Sequence, residues 1–259
     1  MGTKVIYKVE NNIARITLNR PEALNALDND MVADLIHYLN QTKKDDEVRV
    51  IIIEGLGKAF CAGDDLVDMG TEKNPNPTDK LTEYSDGYPA VVLAMKNLEK
   101  PIIVKAHKYA LGAGFEIALA ADFIIASNET KFGLPFVLRG ISAGTYLLQK
   151  RIGYHRAARY LFLGEMFGTN EASEWGLLYK QVEQDKLEEV VEDLAIHLTS
   201  SATRAIGLMK KAMHNSDGMT IENAFQVQTY STLASYYTVD YAEGKQAFIE
   251  KRSSNFKGK

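Results

Sequence analysis

The stretch at residues 110–116, ALGAGFE, combines two features that acid–base chemistry needs. Gly112 and Gly114 allow the backbone to approach a ligand closely, and the apolar run that follows predicts a helix beginning here. The first N–H groups of a helix have no partner within the helix, and the helix dipole favours negative charge beside them. Glu116 lies in the predicted first turn, where its carboxylate could move a proton next to an oxygen that becomes negative. The stretch therefore predicts half of an active site.

A second small-residue turn, at residues 59–66 (AFCAGDDL), has the same design. This turn follows a buried strand predicted at residues 48–54. The pattern predicts that a short helix begins after the turn, with Asp65 as its cap and Asp64 facing solvent. Because a backbone donor does not depend on its side chain, the N–H groups of Asp64 and Ala113 could together form an oxyanion hole. Each turn alone is more typical of a plain strand-to-helix connection. Together with Glu116, they favour an active site.

The remaining pattern predicts an α/β core that positions these turns. A hairpin is expected at residues 5–10 and 13–19, and Asp28 is a suitable N-cap for the next helix. Buried strands at residues 102–106 and 123–126 alternate with helices. From about residue 169 the pattern is helical, and it is rich in tyrosines near the end of the chain. Those aromatics fit either a contact with another subunit or folding back onto the chain's own core.

Bulk properties exclude several function classes. The 259-residue chain has a formal net charge of -4, so it has no basic footprint for nucleic acid. A single cysteine excludes an internal disulfide framework, and no apolar run is long enough to span a bilayer. We therefore expect a soluble cytoplasmic protein with neither a nucleic-acid nor a membrane partner. The proline-containing segment at residues 70–80 predicts an exposed loop that could act as a lid.

Five ordered segments make the chain similar to a known family. They are NRPEALNAL at 19–27, AFCAGDDL at 59–66, ALGAGFE at 110–116, FGLP at 132–135 and AFIEKR at 247–252. On these motifs the chain is identified as a member of the enoyl-CoA hydratase/isomerase (crotonase) family. The resemblance implies an α/β fold, a crotonase-type spiral of ββα units with a C-terminal helical oligomerisation region. It implies an acyl-CoA core at residues 1–195, a trimerisation region at 196–259, and a trimer or a dimer of trimers.

The resemblance also implies the site. An acyl-CoA thioester would place its carbonyl oxygen between the N–H groups of Asp64 and Ala113, with Glu116 as acid and base. CoA enters as part of the substrate, and no metal or other cofactor is implied. Lys251 would reach a CoA phosphate in a neighbouring subunit, although by itself it is more typical of a solvated tail charge. The implied substrate and CoA contacts are Ala23, Leu24, Ala26, Ala62, Asp65, Leu66, Val67, Gly112, Phe136, Phe248 and Lys251.

Phe136 is the main departure from the family pattern. Hydratases of the family carry a second carboxylate directly after the Phe-Gly-x-Pro motif, and here a phenyl ring stands in its place. Hydration of a 2-enoyl-CoA remains the first expectation, because Glu116 alone can hold water and return its proton. Double-bond isomerisation is second, and decarboxylation of an acyl-CoA is third. The ring also favours a bulky or aromatic acyl group.

Other functions are weighed against this one. Residues 140–144, GISAG, fit the nucleophile elbow of a serine hydrolase through Ser142, but no convincing strand precedes them, and Ser142 is more simply a helix N-cap. Residues 112–114 lack the third small residue of a dinucleotide fingerprint, because Ile117 takes its place. Cys61 lies in an apolar loop without an adjacent histidine, which is typical of an inert thiol. A non-catalytic acyl-CoA-binding scaffold remains an alternative.

Overall fold

The computed structural model describes residues 3–72, 74–76 and 87–259. Its larger sheet has six strands in the order β1-β2-β3-β4-β6-β9, and its smaller sheet has three in the order β5-β7-β8. The strands are β1 Val5–Glu10, β2 Ile13–Leu18, β3 Val50–Gly55, β4 Ile102–Ala106, β5 Tyr109–Leu111, β6 Phe123–Ser127, β7 Lys131–Gly133, β8 Met166–Gly168 and β9 Lys180–Val182.

The larger sheet begins with the predicted hairpin. Asn11 and Asn12 both have positive φ angles, 49° and 64°, which suit a tight two-residue turn between antiparallel β1 and β2. From β2 onward every neighbouring pair is parallel, so these strands end at a common edge. All six residues of β3 are buried, as expected for a parallel strand covered on both faces.

Helices cover the sheets and extend the chain at its C-terminal end. The first begins after Asp28, whose side chain accepts a hydrogen bond from the backbone N–H of Met31, as the sequence predicts. The described helices are α1 Asn29–Lys44, α2 Tyr88–Lys96, α3 Ala113–Ala120, α4 Thr145–Ile152, α5 Tyr154–Leu163, α6 Thr169–Glu174, α7 Leu187–Ser200, α8 Thr203–Asn215, α9 Ile221–Ser235 and α10 Val239–Glu250.

An aromatic cluster holds α3 against the smaller sheet. Phe115 on α3 lies 5.2 Å from Phe132 of β7 and 5.6 Å from Phe167 of β8, measured between ring centroids. All three side chains are buried, and such pairs contribute about 0.5–1.5 kcal/mol each beyond the burial of their area. Glu116 is the next residue of α3, so the packing of this cluster also positions Glu116 relative to the smaller sheet.

The α/β prediction is confirmed, and two local predictions are wrong. No helix follows Gly63 among the described residues; the chain instead makes turns over residues 66–70, and left-handed Gly70 (φ 77°) ends them. Ser142 does not cap a helix, because α4 begins at Thr145 after Gly144, whose φ is 71°. The lid predicted at residues 70–80 depends partly on residues 73 and 77–80, which lie outside the described residues.

The C-terminal part of the chain is helical, as expected. The predicted boundary at residue 195 falls within α7 and remains a prediction. None of the helices in the described ranges combines the length and apolarity needed to cross a bilayer.

Candidate active site

Gly112 makes the turn that leads into α3. Its φ of 51° and ψ of -130° are difficult for any residue with a side chain, and its carbonyl accepts the N–H groups of Phe115 and Glu116 at 3.0 Å each. All eight residues of α3 are buried, so the helix begins inside the protein. The N–H of Ala113, the first residue of α3, has no acceptor within the helix.

The two predicted turns lie against each other. Hydrogen bonds connect Cys61 to β5, from its N–H to the carbonyl of Tyr109 and from the Leu111 N–H to the Cys61 carbonyl, both 3.0 Å. Farther along, a Cβ on Gly63 would lie 2.9 Å from the Leu111 carbonyl oxygen and 3.4 Å from the Cα of Gly112. Only glycine permits this approach, and it brings Asp64 and Ala113 to neighbouring positions.

The backbone direction at Asp64 follows from the hydrogen bonds on either side of it. The N–H of Leu27 donates to the carbonyl of Gly63 at 2.8 Å, and the N–H of Asp65 donates to the carbonyl of Leu27 at 2.8 Å. In a parallel bridge of this kind, the residue between the two bonded positions directs its own N–H to the opposite side. For Asp64 that is the side away from Leu27.

Glu116 is a buried carboxyl group. Its side chain is 6% exposed, and its Oε1 has no hydrogen-bond partner among the described residues. Because burial penalises the charged form, the pKa of Glu116 rises to about 7. A carboxyl group with this pKa can both accept and release a proton near neutral pH.

This burial predicts a pH-dependent stability. In the unfolded chain Glu116 has the ordinary pKa of 4.5, whereas in the folded protein the pKa is about 7. Between these values the folded state binds more protons, so the free energy of unfolding falls as pH rises, by at most roughly 3 kcal/mol in total. Urea unfolding of the wild type and Glu116→Gln at pH 5 and pH 8 measures it. The variant should gain stability relative to the wild type at pH 8, and an equal difference at both pH values would contradict the prediction.

Phe136 lies next to the Gly112 turn. It belongs to a short 3₁₀ helix, Pro135–Arg139, and is 8% exposed. Its ring carbons Cε1 and Cζ would each be 3.7 Å from a Cβ on Gly112. The structure therefore places an apolar ring beside the turn that holds Ala113 and Glu116.

The segment around Ala23, Leu24 and Ala26 lies alongside the Gly63 turn. The N–H of Ala62 donates to the Leu24 carbonyl at 3.0 Å, and Leu24 and Asn25 both have positive φ angles. The buried side chain of Asn25 locks this conformation: its amide nitrogen donates to the carbonyls of Leu56 and Ala59, at 2.9 and 2.8 Å. The sequence analysis assigned no role to Asn25; asparagine's tolerance of the left-handed region was the available signal.

Arg20 is a second positioning residue that the sequence analysis missed. Its guanidinium donates to the Ala26 carbonyl at 2.7 Å and to a carboxylate oxygen of Asp65 at 2.9 Å, so it connects the two segments. The other Asp65 oxygen accepts the N–H of Val67 at 3.1 Å. Burial alone raises the pKa of Asp65, but the hydrogen bonds from Arg20 and Val67 lower it overall. Asp65 thus caps a turn rather than the predicted helix, and Asp64 is partly buried.

The predicted CoA contacts differ in exposure. Leu66 and Val67 are exposed apolar side chains on the turn that follows Asp65. Phe248 and Lys251 are exposed on and just after α10, where Lys251 has a left-handed conformation. Within one chain, the described hydrogen bonds and ion pairs do not join Phe248 or Lys251 to the Glu116 turn.

The competing sites lack the geometry that their chemistry needs. Cys61 is fully buried, its thiol donates to the Asn25 carbonyl at 3.1 Å, and burial raises its pKa to about 12, so it is a poor nucleophile. Ser142 is exposed and follows a 3₁₀ helix instead of the strand that a nucleophile elbow requires. No group of three or more potential metal ligands occurs within the described ranges.

Comparisons with known proteins show which proteins this chain resembles. The family model described as enoyl-CoA hydratase/isomerase matches residues 8–259. The chain is 34% identical to the 1,2-epoxyphenylacetyl-CoA isomerase of Escherichia coli (strain K12), over 98% of both chains. It is 36% identical to the (E)-benzylidenesuccinyl-CoA hydratase of Thauera aromatica, over 98% of this chain and 99% of the relative. A crystal structure of enoyl-CoA hydratase from Bacillus anthracis matches with a TM-score of 0.91 at 28% identity, covering 99% of this chain and 100% of that one.

Proposed function

Because this chain belongs to the enoyl-CoA hydratase/isomerase family, we propose that it stabilises the enolate of an acyl-CoA thioester between the N–H groups of Asp64 and Ala113. The adjacent glycine turns support this role, since they bring both residues to neighbouring positions at the start of a buried helix. Each such donor contributes roughly 3–4 kcal/mol to the stabilisation of an oxyanion.

Glu116 is proposed as the lone acid and base, and its burial is the observation that carries the proposal. Its unpartnered oxygen and its pKa of about 7 suit a group that takes a proton and returns it at another atom. Proton transfer beside a hydrogen-bonded enolate needs no metal or redox cofactor, so CoA is expected only as part of the substrate. The segments around Ala23 and around Leu66 are proposed to hold it, with Phe248 and Lys251 contributed by a neighbouring subunit.

Hydration of a 2-enoyl-CoA is the first reaction proposed. Glu116 would accept a proton from water while the water oxygen bonds to Cβ of the enoyl group. The electron pair of the Cα–Cβ double bond would move onto the thioester oxygen as an enolate. Glu116 would then return the proton to Cα, and the enolate would collapse to the 3-hydroxyacyl-CoA.

Double-bond isomerisation is the second candidate, and Phe136 favours it. With an apolar ring where the family hydratases have a carboxylate, a single carboxyl group must handle every proton. In isomerisation Glu116 would remove a Cα proton from a 3-enoyl-CoA and return it to Cγ, which needs no water. The relatives include both an isomerase and a hydratase.

One experiment separates these reactions. The purified enzyme is incubated with 2-enoyl-, 3-enoyl- and malonyl-type CoA thioesters in heavy-oxygen water, and the products are analysed by mass spectrometry. A hydratase incorporates heavy oxygen, an isomerase moves the double bond without a mass change, and a decarboxylase loses carbon dioxide. Oxygen uptake with no enoyl-CoA would refute hydration. Binding without any turnover, unchanged in Glu116→Gln, would support the scaffold alternative.

We further propose a homotrimer or a dimer of trimers. Helix α9 has no buried residue in the single chain, and large apolar side chains on α9, α10 and the turn between them are exposed, including Phe225, Tyr230, Tyr237 and Phe248. A surface of this kind marks a protein contact. Light scattering should give three or six times the 28.8 kDa chain mass, and Tyr237→Glu should lower it. A wild-type mass of one chain would refute the assembly.

The cytoplasmic location remains a prediction.

A further inference from the structure

The ring of Phe136 lies near two glycines with positive φ angles, Gly112 and Gly144. Its Cε1 and Cζ edge faces Gly112, and on the other side its Cε2 lies 3.0 Å from the position of a Cβ on Gly144. Gly144 has a φ of 71°, so a side chain there would be strained as well as crowded. Phe136 thus lies between the Gly112 turn and the Gly144 turn.

The ring of Tyr88 lies close to the ring of Phe136. Tyr88 is the first residue of α2, and its ring is nearly parallel to that of Phe136, with 14° between the planes and 6.3 Å between the centroids. Carbon atoms in contact are about 3.5–4.0 Å apart, so rings in contact at this centroid distance are displaced sideways and overlap little. The two rings form an apolar surface, the aromatic wall, beside the turn that holds Ala113 and Glu116.

We propose that the acyl group carried by CoA is planar and aromatic, and that it packs against the aromatic wall of Phe136 and Tyr88. The inference rests on the proposed function, because it places the thioester at the Gly112 turn. The ring of Phe136 lies next to that turn, since its Cε1 and Cζ would be only 3.7 Å from a Cβ on Gly112. A flat ring gains offset-stacked contacts on such a surface, whereas a puckered ring of equal carbon number does not.

Two saturated thioesters test binding to the aromatic wall, because neither can undergo the proposed reactions. 3-Phenylpropanoyl-CoA and 3-cyclohexylpropanoyl-CoA have the same carbon skeleton, and neither has a double bond to hydrate or move. The cyclohexyl group is at least as apolar, so hydrophobic transfer alone cannot favour the phenyl compound. Isothermal titration calorimetry of the wild type should give a Kd for the phenyl compound about 3- to 10-fold lower than that for the cyclohexyl compound.

Matched variants assign the preference to the two rings. In Phe136→Leu and in Tyr88→Leu the ratio of the two Kd values should fall toward one, while Tyr88→Phe, which keeps the ring and removes only the hydroxyl, should retain it. Circular dichroism and the Kd of CoA alone show whether each variant is folded. Since the two leucine variants lie on different elements, failure of one to fold leaves the other as the test.

The outcomes separate this inference from the proposed function. Equal Kd values in the wild type, with turnover of an aliphatic enoyl-CoA, would overturn the aromatic preference alone. A phenyl preference without turnover of cinnamoyl-CoA or any other enoyl-CoA would support the wall and overturn the proposed reaction. Binding of neither thioester would overturn both.

Discussion

Glu116→Gln is expected to lower kcat by about 10²- to 10⁴-fold, the usual contribution of a positioned acid or base. Glutamine keeps the size and shape of the side chain but cannot carry a proton between two atoms. Since Glu116 makes no described hydrogen bond through Oε1, the substitution breaks no contact of that oxygen. The KM for the thioester should therefore change little, and the loss should appear in kcat.

The pH profile gives a second readout of the same variant. The wild-type rate should change through a pKa near 7, the value that burial gives Glu116, and this limb should be absent in Glu116→Gln. Exchange of Cα protons of a saturated acyl-CoA with deuterium, followed by NMR, isolates the proton transfer from later steps. Exchange at the wild-type rate in the variant would show that another group is the base.

Glu54→Gln is the matched control for removing a buried carboxylate. Glu54 is also largely buried, but it accepts hydrogen bonds from Arg15 and Thr17 and pairs with Lys105. Burial alone would raise the pKa of Glu54, but its contacts with Lys105, Arg15 and Thr17 outweigh that effect and lower the pKa overall. In the folded protein Glu54 is therefore held in the charged form. We expect Glu54→Gln to lose stability and keep its rate per folded enzyme. Glu116→Gln should lose the rate and keep or gain stability.

The local turn chemistry was readable from the sequence, because it depends on residues close together in the chain. Gly112, Glu116 and the hairpin asparagines occupy the conformations that their residue types favour. The helix predicted after Gly63 failed because a left-handed glycine, Gly70, ended the turn before a helix could form. Helix propensity alone did not predict that interruption.

The contacts that position the site were not readable, because they join distant parts of the chain. Arg20 bonds to Asp65 across 45 residues, and Asn25 bonds to Ala59 across 34. Tyr88 reaches Phe136 from another helix. The sequence contains each of these side chains, but only the folded arrangement shows that a bond forms. The proposed roles of Phe248 and Lys251 require a neighbouring subunit, and the sequence of one chain does not show where that subunit would lie.

Gly63→Ala is expected to lower kcat/KM by about 10²- to 10³-fold, the cost of losing one oxyanion donor. Gly63 has a φ of 101°, which residues with a side chain rarely adopt, and the added Cβ would lie 2.9 Å from the Leu111 carbonyl oxygen. That oxygen belongs to backbone and cannot rotate away. The Gly63 turn must therefore move from the Gly112 turn, and the N–H of Asp64 moves with it. Initial rates over a range of acyl-CoA concentrations below and above KM measure the effect.

Gly176→Ala separates this displacement from the general strain of a left-handed alanine. Gly176 has a φ of 71°, but a Cβ there meets no atom of the described residues within 4 Å. Both variants should lose about 1–2 kcal/mol of stability from the backbone conformation alone. Only Gly63→Ala should also lose kcat/KM, and it should bind an enolate-like inhibitor more weakly while its affinity for CoA changes less. If both variants lose stability equally and keep kcat/KM, the N–H of Asp64 does not hold the oxyanion.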